Sequence, residues 1–215
     1  MCWSATADLV AGTAVAGVGV ACVARVRSGR ELPLAALPLL LGAHQLVEAV
    51  VWDSGGGSGP ATTAWAVIAL PLLTVWVPAG VLCACPPHAR RRVCALLVVG
   101  AVTAAMLAYG LATGPAKAEI RGHTVGYMFD LPFTPVLIAG YLLATVGSLL
   151  LSGDRRLLVL GILVAVGALG CWVLWRLEFV STWCALAAVC SVMLFRWVGT
   201  RPVSVQAAGG PAARY

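Results

Sequence analysis

The stretch LPLAALPLLLGAHQLVEAVVW, residues Leu32–Trp52, has the length and apolarity of a membrane-spanning helix but carries polar side chains near its end. In a helix, His44, Glu48 and Trp52 are spaced four residues apart and therefore share one face. Gln45 adds a further donor and acceptor beside them. Ionisable residues inside a bilayer are costly and usually serve a function. We therefore expect the rest of the chain to be organised around this stripe.

The composition of the whole chain indicates an all-α, polytopic membrane protein. Its 215 residues are 61% hydrophobic and only 10% charged, and the mean hydropathy is +0.96. A soluble domain would be about a quarter charged. The net charge of +6 does not indicate a nucleic-acid partner, because the arginines are spread over separate loops. Lys117 is the only lysine, and the richness in Ala, Gly, Val and Arg is typical of a GC-rich bacterial genome. We therefore expect a multi-pass protein of a bacterial plasma membrane.

Seven apolar stretches are long enough, or nearly so, to cross about 30 Å of hydrocarbon. They are Ala5–Ala24, Leu32–Trp52, Ala61–Ala84, Val93–Thr113, Phe133–Leu151, Arg156–Trp175 and Val180–Val198. The sequence thus predicts a seven-helix transmembrane domain over residues 1–198. Residues 199–215 form a polar tail that we expect to be cytoplasmic and disordered.

The distribution of arginines predicts the orientation of the helices. Basic residues concentrate in the first, third and fifth loops and in the tail, whereas the other loops hold most of the acids. The arginines concerned are Arg25, Arg27, Arg30, Arg90, Arg91, Arg92, Arg155, Arg156, Arg196, Arg201 and Arg214. Cytoplasmic loops are enriched in Lys and Arg. The N-terminus is therefore expected outside and the C-terminus inside.

Tryptophans and acids concentrate toward the predicted outer half of the chain. The outer tryptophans are Trp3, Trp52, Trp65, Trp172, Trp175 and Trp183. They form either an interfacial aromatic belt or the lining of a cavity that opens outward. The proline residues Pro38, Pro71 and Pro78 are expected to bend their helices and to open space between them. The long loop Gly114–Pro132 is expected to fold over this space as a lid.

His44 and Glu48 allow three interpretations. In the first, they hydrogen-bond each other or a neighbouring helix and have no further role. A carboxyl in apolar surroundings favours its neutral form, so Glu48 is also a candidate proton donor, with His44 tuning it or accepting the final proton. Finally, both side chains are possible metal ligands, with a third from His123 or Cys2. The sequence has no HExxH or CxxC motif, and we expect neither a metal nor another cofactor.

Other acids and aromatic residues extend this candidate site. The additional candidate acids are Asp53, Asp130 and Glu178, and the candidate aromatic lining is Trp3, Trp52, Tyr127, Phe129, Trp172 and Trp175. Asp130 is alternatively a helix cap, and Glu178 is alternatively an exposed partner of Arg176. Acids among aromatic faces, shielded from water, suit carbocation chemistry. Because no phosphate-binding motif is present, such a reaction would begin by protonation and not by loss of diphosphate.

The opening Met1-Cys2-Trp3-Ser4-Ala5-Thr6-Ala7 and the His44-Gln45-x-x-Glu48 stripe with Trp52 resemble a family of small bacterial seven-helix membrane proteins. Many of its members begin Met-Cys-Phe-Ser-Ala-Thr-Ala, and Trp3 departs from that pattern. The chain also resembles the actinobacterial membrane terpene cyclases of drimentine-type pathways. That resemblance implies metal-free, proton-initiated cyclisation of a farnesyl chain on an indole diketopiperazine.

The resemblance assigns no catalytic residues, so the site residues rest on their chemistry alone. The expected partners are the lipid bilayer and a hydrophobic, prenylated small molecule. The alternative function is a membrane transporter or binding protein that uses His44 and Glu48 to hold a metal or a proton.

Overall fold

The structure, a computed structural model, describes the backbone of residues 4–174 and 179–198 and the side chains of residues 4–170 and 186–198. The described chain is mostly helical, as predicted. Its helices are α1 (Ala5–Ala24), α2 (Leu32–Ala35), α3 (Leu37–Asp53), α4 (Pro60–Val67), α5 (Leu73–Ala84), α6 (Arg90–Thr113), α7 (Thr134–Leu150), α8 (Arg155–Leu174) and α9 (Phe179–Val198). A π-helical turn, Ile68–Leu72, joins α4 to α5. Two short strands, β1 (Lys117–Arg121) and β2 (Thr124–Met128), form an antiparallel hairpin.

Each of the seven predicted apolar stretches is mostly helical over its described residues, and four helical segments are long and apolar enough to cross a membrane. These four segments are Ala5–Ala24, Leu32–Asp53, Pro60–Ala84 and Arg90–Thr113. Thr134–Leu150 and Leu186–Val198 are shorter apolar helical segments of the described chain. Length and composition therefore identify a helical membrane protein with four candidate spans.

The exposed faces of the long helices are apolar, which fits a bilayer and not water. Valine, leucine and isoleucine side chains project outward from α1, α6, α7 and α8. Those more than half exposed include Val10, Val20, Val98, Val102, Val136, Ile138, Val166 and Leu169. The buried side of the bundle, in contrast, carries the polar residues described below.

The second predicted helix is broken at Ala36, between α2 and α3. Pro38, expected in the interior of a bent helix, instead lies in the first turn of α3, where its missing N–H is tolerated. The indole Nε1 of Trp76 donates a hydrogen bond of 2.9 Å to the carbonyl oxygen of Pro33 beside the break. A side chain from α5 thus satisfies a backbone group at the broken segment.

Helices α1 and α3 cross closely through small residues. A methyl group on Gly42 would lie 2.6 Å from the backbone nitrogen of Ala16, and one on Gly12 would lie 3.0 Å from the carbonyl oxygen of Gly42. A methyl group on Gly19 would lie 2.6 Å from the backbone nitrogen of Leu39. Such close backbone approach is how helices pack in lipid, where hydrophobic association is weak. This crossing fixes the polar end of α3 against α1.

The bundle has two ends of different character. The hairpin end comprises the start of α1, the end of α3, the start of α4 and the β-hairpin. The arginine end comprises the end of α1 and the starts of α6 and α8, and its interior is the largest apolar core of the described residues. This core includes Cys22, Leu34, Val81, Val93, Leu157, Leu194 and Trp197. The polar site lies at the hairpin end.

Candidate active site

Helix α3 carries three buried polar side chains within about one helical turn. Their exposed fractions are 5% for His44, 3% for Gln45 and 0% for Glu48. Trp52, one turn further along, is half-buried. The predicted stripe therefore faces the protein interior, and Glu48 is among the largest fully buried side chains described. Burial of this kind requires polar partners, because an unsatisfied carboxyl in apolar surroundings is costly.

The β-hairpin brings Tyr127 to this stripe. The hydroxyl of Tyr127 donates a long hydrogen bond of 3.3 Å to Oε1 of Glu48. The loop Gly114–Pro132 thus lies over the end of α3, where a lid was predicted, but most of it is an ordered hairpin with Arg121 opposite Thr124 across the turn. A hairpin forms here because two short strands flank the two-residue turn Gly122-His123, in which Gly122 has a φ of 62°.

The hairpin is fixed to the end of α3 by backbone hydrogen bonds and by a small apolar cluster. The amide of Gly57 donates to the carbonyl of Ala118 at 2.8 Å, and the amide of Ala118 donates back at 2.9 Å. Val51, Ala118 and Val125 are buried together between the hairpin and α3. These contacts hold Tyr127 in place over Glu48.

Aromatic rings form a continuous stack beside the carboxyl. The rings of Trp65 and Tyr127 lie parallel, with centroids 3.5 Å apart and an interplanar angle of 5°. The His44 ring lies 4.8 Å from Trp65 at a tilt of 36°, and the Phe129 ring lies 6.5 Å from Tyr127. Glu48 therefore lies at the edge of an aromatic stack, next to the hydroxyl of Tyr127.

Two indole N–H groups in this region have no acceptor among the described residues. Nε1 of Trp65 and Nε1 of Trp52 are both buried, and no described side chain or carbonyl accepts from either. A buried donor without an acceptor is costly.

Asp8 of α1 is a buried acid that the sequence-based site did not include. Its side chain is 1% exposed, and it lies one turn before Gly12, which packs against α3. The sequence held a signal for it, because Asp8 shares a helical face with the small residues Gly12 and Gly19. The hairpin end of the bundle therefore contains two buried carboxyls, Asp8 on α1 and Glu48 on α3.

Trp65 is the second residue that sequence reasoning missed as part of the site. It was grouped only with the outer tryptophans, yet it is 0% exposed and contacts both His44 and Tyr127. No local pattern in α4 distinguishes it from an interfacial tryptophan. Only the pairing of α4 with the hairpin places it there.

The other predicted residues are dispersed. Asp53 is exposed at the end of α3, and Asp130 is exposed after β2. Asp130 does not cap α7, because Phe133 precedes the first turn, with φ 54° and no side-chain cap. Phe129 is half-buried beside Tyr127. The predicted residues Trp3, Trp172, Trp175 and Glu178 lie outside the residues whose side chains the structure describes.

The described side chains offer no ready-made metal site. No group of three His, Cys, Asp or Glu residues among them is arranged to hold a metal ion. His123, considered as a third ligand, is exposed at the turn of the hairpin. Cys2, the other candidate third ligand, lies outside the described residues. The described arrangement places the Glu48 carboxyl against the hydroxyl of Tyr127, whose ring stacks on that of Trp65.

Comparison with known proteins identifies a family but no activity. A family model described as a family of unknown function (DUF6629) matches residues 1–209. No curated protein and no solved structure matches the chain.

Proposed function

Since the chain belongs to this family of unknown function, DUF6629, we propose its activity from the site itself: a membrane-embedded terpene cyclase that begins ring closure by protonating an alkene. The observation that carries the proposal is the fully buried carboxyl of Glu48, in contact with Tyr127 and beside the stacked ring of Trp65. A neutral acid can donate a proton, and π-faces stabilise the cation that results.

In the proposed reaction, the proton of Glu48 adds to the terminal double bond of a farnesyl chain and leaves a tertiary carbocation. Neighbouring double bonds attack this cation in turn, so that carbon–carbon bonds form and the positive charge moves along the chain. Loss of a proton from a carbon next to the last cation gives an alkene. His44 or the Glu48 carboxylate accepts that proton. The product is an isomer of the substrate, with no group lost and no cofactor consumed.

Each described residue has a separate role in this proposal. Tyr127 donates a hydrogen bond to Oε1 of Glu48 and so orients the carboxyl that carries the proton. Trp65, Tyr127 and Phe129 supply the aromatic wall. The hairpin and the surrounding apolar side chains keep water from quenching the cation.

The proposed substrate class is a prenylated indole diketopiperazine, as the resemblance implies. A diketopiperazine ring carries amide carbonyls, and the buried Nε1 groups of Trp52 and Trp65 can donate to such acceptors. The hydrophobic prenyl chain of this substrate can enter the protein from the bilayer. Both features match an apolar site with few polar groups.

We also propose that all seven apolar stretches cross the plasma membrane, with the hairpin outside and the arginine end in the cytoplasm. The positive-inside rule supports this orientation. The test uses a variant without native cysteines and an impermeant maleimide on intact cells. His123→Cys in the hairpin turn should be labelled at once, and Arg91→Cys only after permeabilisation. Labelling of Arg91→Cys in intact cells would reverse the orientation.

The activity is tested with purified protein and a farnesylated cyclodipeptide. We expect a product of unchanged mass with new rings, identified by mass spectrometry and NMR. In D₂O the product should gain one deuterium, at the carbon protonated first. Recovery of unreacted substrate would reject the proposed cyclase. Stoichiometric metal in the purified protein that is lost in His44→Ala would favour a metal-binding protein instead.

A further inference from the structure

The arginine end of the bundle contains an open groove that the proposed reaction does not use. The groove has a volume of about 610 Å³ and lies between the end of α1, the start of α8 and the end of α9. Four of its lining residues are Arg25, Arg155, Arg156 and Arg196. A volume of this size is typical of small-molecule sites. The concentration of guanidinium groups indicates an anionic ligand, because Arg is suited to binding phosphate.

Two of these arginines are held in place by neighbouring groups. The guanidinium of Arg25 lies 4.4 Å from the centroid of the Phe195 ring, a cation–π contact. Nη1 of Arg156 is 3.5 Å from the carbonyl oxygen of Arg196. Arginines that are already positioned lose less conformational entropy when a ligand binds.

Asp154 is the carboxylate next to this groove in the sequence, and four lining arginines outnumber it and leave the groove positively charged. Oδ1 of Asp154 accepts from the backbone amides of Arg156 at 2.9 Å and Leu157 at 3.4 Å. Oδ2 of Asp154 accepts from Nε1 of Trp197 at 3.0 Å. Asp154 therefore serves as the N-cap of α8, whose positive dipole end lies at the same groove.

An apolar groove continues from the arginine cluster along the bundle. It has a volume of about 270 Å³ and is lined by Gly17, Val18, Ala21, Val192 and Phe195. Phe195 lines both grooves and joins them. The arginine cluster and the apolar groove therefore lie one after the other along α1 and α9.

We propose that the two grooves together bind one anionic phospholipid. The arginine cluster would hold the phosphate headgroup, and the groove between α1 and α9 would hold an acyl chain. Basic pockets between membrane helices bind anionic headgroups in this way, and the cytoplasmic leaflet supplies such lipids. A free phosphate would need only the arginine cluster, whereas the joined apolar groove favours a ligand with a hydrocarbon tail. The proposal is independent of the reaction at the hairpin end.

The first test measures lipid binding to the purified full-length chain in a neutral detergent, by native mass spectrometry. The probes are phosphatidylglycerol and phosphatidylcholine with identical acyl chains. Wild-type protein should bind phosphatidylglycerol at least about tenfold more tightly. The triple variant Arg25→Gln, Arg156→Gln, Arg196→Gln should lose that preference. Equal binding of the two lipids by wild-type protein would overturn the proposal.

Two further triple variants control for net charge and for folding. Arg90→Gln, Arg91→Gln, Arg92→Gln removes the same charge from exposed residues outside the groove, and it should keep phosphatidylglycerol binding within about twofold. Arg25→Lys, Arg156→Lys, Arg196→Lys keeps the charge and should retain most of the binding. If the control at positions 90–92 weakens binding as much as the groove variant, the lipid is attracted by net charge and the site is rejected.

The last test separates a lipid from a free anion. A methyl group on Gly17 meets no atom within 4 Å, so Gly17→Leu can fill the apolar groove without displacing neighbours. This variant should weaken phosphatidylglycerol at least about fivefold, since the acyl chain loses its groove. Inorganic phosphate should bind far more weakly than the lipid. Tight binding of inorganic phosphate, together with unchanged lipid binding by Gly17→Leu, would show an anion site without a lipid.

Discussion

The hydroxyl of Tyr127 hydrogen-bonds the buried carboxyl of Glu48 at 3.3 Å, although 79 residues separate them in the chain. One residue belongs to a β-hairpin outside the helices and the other to the core of α3. The candidate site is therefore built from an apolar helix and a polar loop, and both must be in place for it to exist.

Replacing Glu48 by Gln keeps the shape of the side chain but removes its acidic proton. We expect cyclisation to fall by about 10²–10⁴-fold, the usual contribution of a general acid. The rate of product formation from a farnesylated cyclodipeptide measures this. Asp53→Asn is the matched control, because Asp53 is exposed at the end of the same helix. Loss of activity in Asp53→Asn, with activity kept in Glu48→Gln, would show that Asp53 and not Glu48 donates the proton.

Replacing Tyr127 by Phe keeps the ring stacked on Trp65 but removes the hydrogen bond to Glu48. We expect about a tenfold loss of activity and a loss of at most about 1 kcal/mol in the free energy of unfolding. Product formation and thermal unfolding of the same samples separate the two effects. Tyr109→Phe on α6, where the tyrosine is 69% exposed, should change neither quantity. A Tyr127→Phe protein that is destabilised but fully active would show that the hydroxyl contributes to stability and not to the reaction.

The close crossing of α1 and α3 predicts a position-specific effect of one methyl group. Gly42→Ala places a carbon 2.6 Å from the backbone nitrogen of Ala16, and backbone cannot move aside cheaply. We expect a loss of about 1–3 kcal/mol in stability, as for other overpacked positions. Gly17→Ala on α1 is the control, because its methyl group meets no atom within 4 Å. Thermal unfolding in detergent compares the two, and equal melting temperatures would contradict the packing described.

The attachment of the hairpin can be tested at two adjacent glycines. Gly55 and Gly56 both have positive φ, at 74° and 80°, so a substitution to Ala strains each alike. Only at Gly56 would the methyl group also meet the carbonyl oxygen of Ala118, at 2.7 Å. We therefore expect Gly56→Ala to loosen the hairpin more than Gly55→Ala does.

Limited digestion with trypsin measures this difference, since Lys117 and Arg121 lie in β1 and are exposed. Cleavage at these residues should be several-fold faster in Gly56→Ala than in Gly55→Ala. If both variants are cleaved at the same rate, the contact of Gly56 with Ala118 does not hold the hairpin.

The helical part of the fold was predictable because each long helix has a simple physical signature. The apolar stretch Ala5–Ala24 coincides with α1, and the spacing of His44 and Glu48 correctly indicated one buried face of α3. Hydrophobicity alone determines such segments, since a lipid-facing helix satisfies its own backbone. A bend was predicted at Pro38, whereas the helix breaks at Ala36 and Pro38 lies in the first turn of the next helix. A proline within a helical pattern can either bend a helix or begin a new one.

The hairpin was not predicted, although the sequence contains a signal for it. The runs Lys117–Arg121 and Thr124–Met128 flank a two-residue Gly122-His123 turn, a pattern that indicates a hairpin. Its register and its pairing with Gly57 depend on contacts far away in sequence. The position of Trp65 against Tyr127 has the same origin, so sequence patterns could suggest aromatic residues for the site but could not select this pair.

The hydrogen bond from Trp76 to the carbonyl of Pro33 fixes the angle between α2 and α3 at the break, so that Ala36 does not act as a hinge. A carbonyl that loses its partner inside a bilayer costs several kcal/mol, so bending at this point would be resisted by a neighbouring helix. Helix α3, after the break, carries Glu48. Helix α2, before the break, is packed into the apolar core through Leu34. Glu48 therefore lies on a helix whose preceding segment, α2, is packed in the largest apolar core of the described residues.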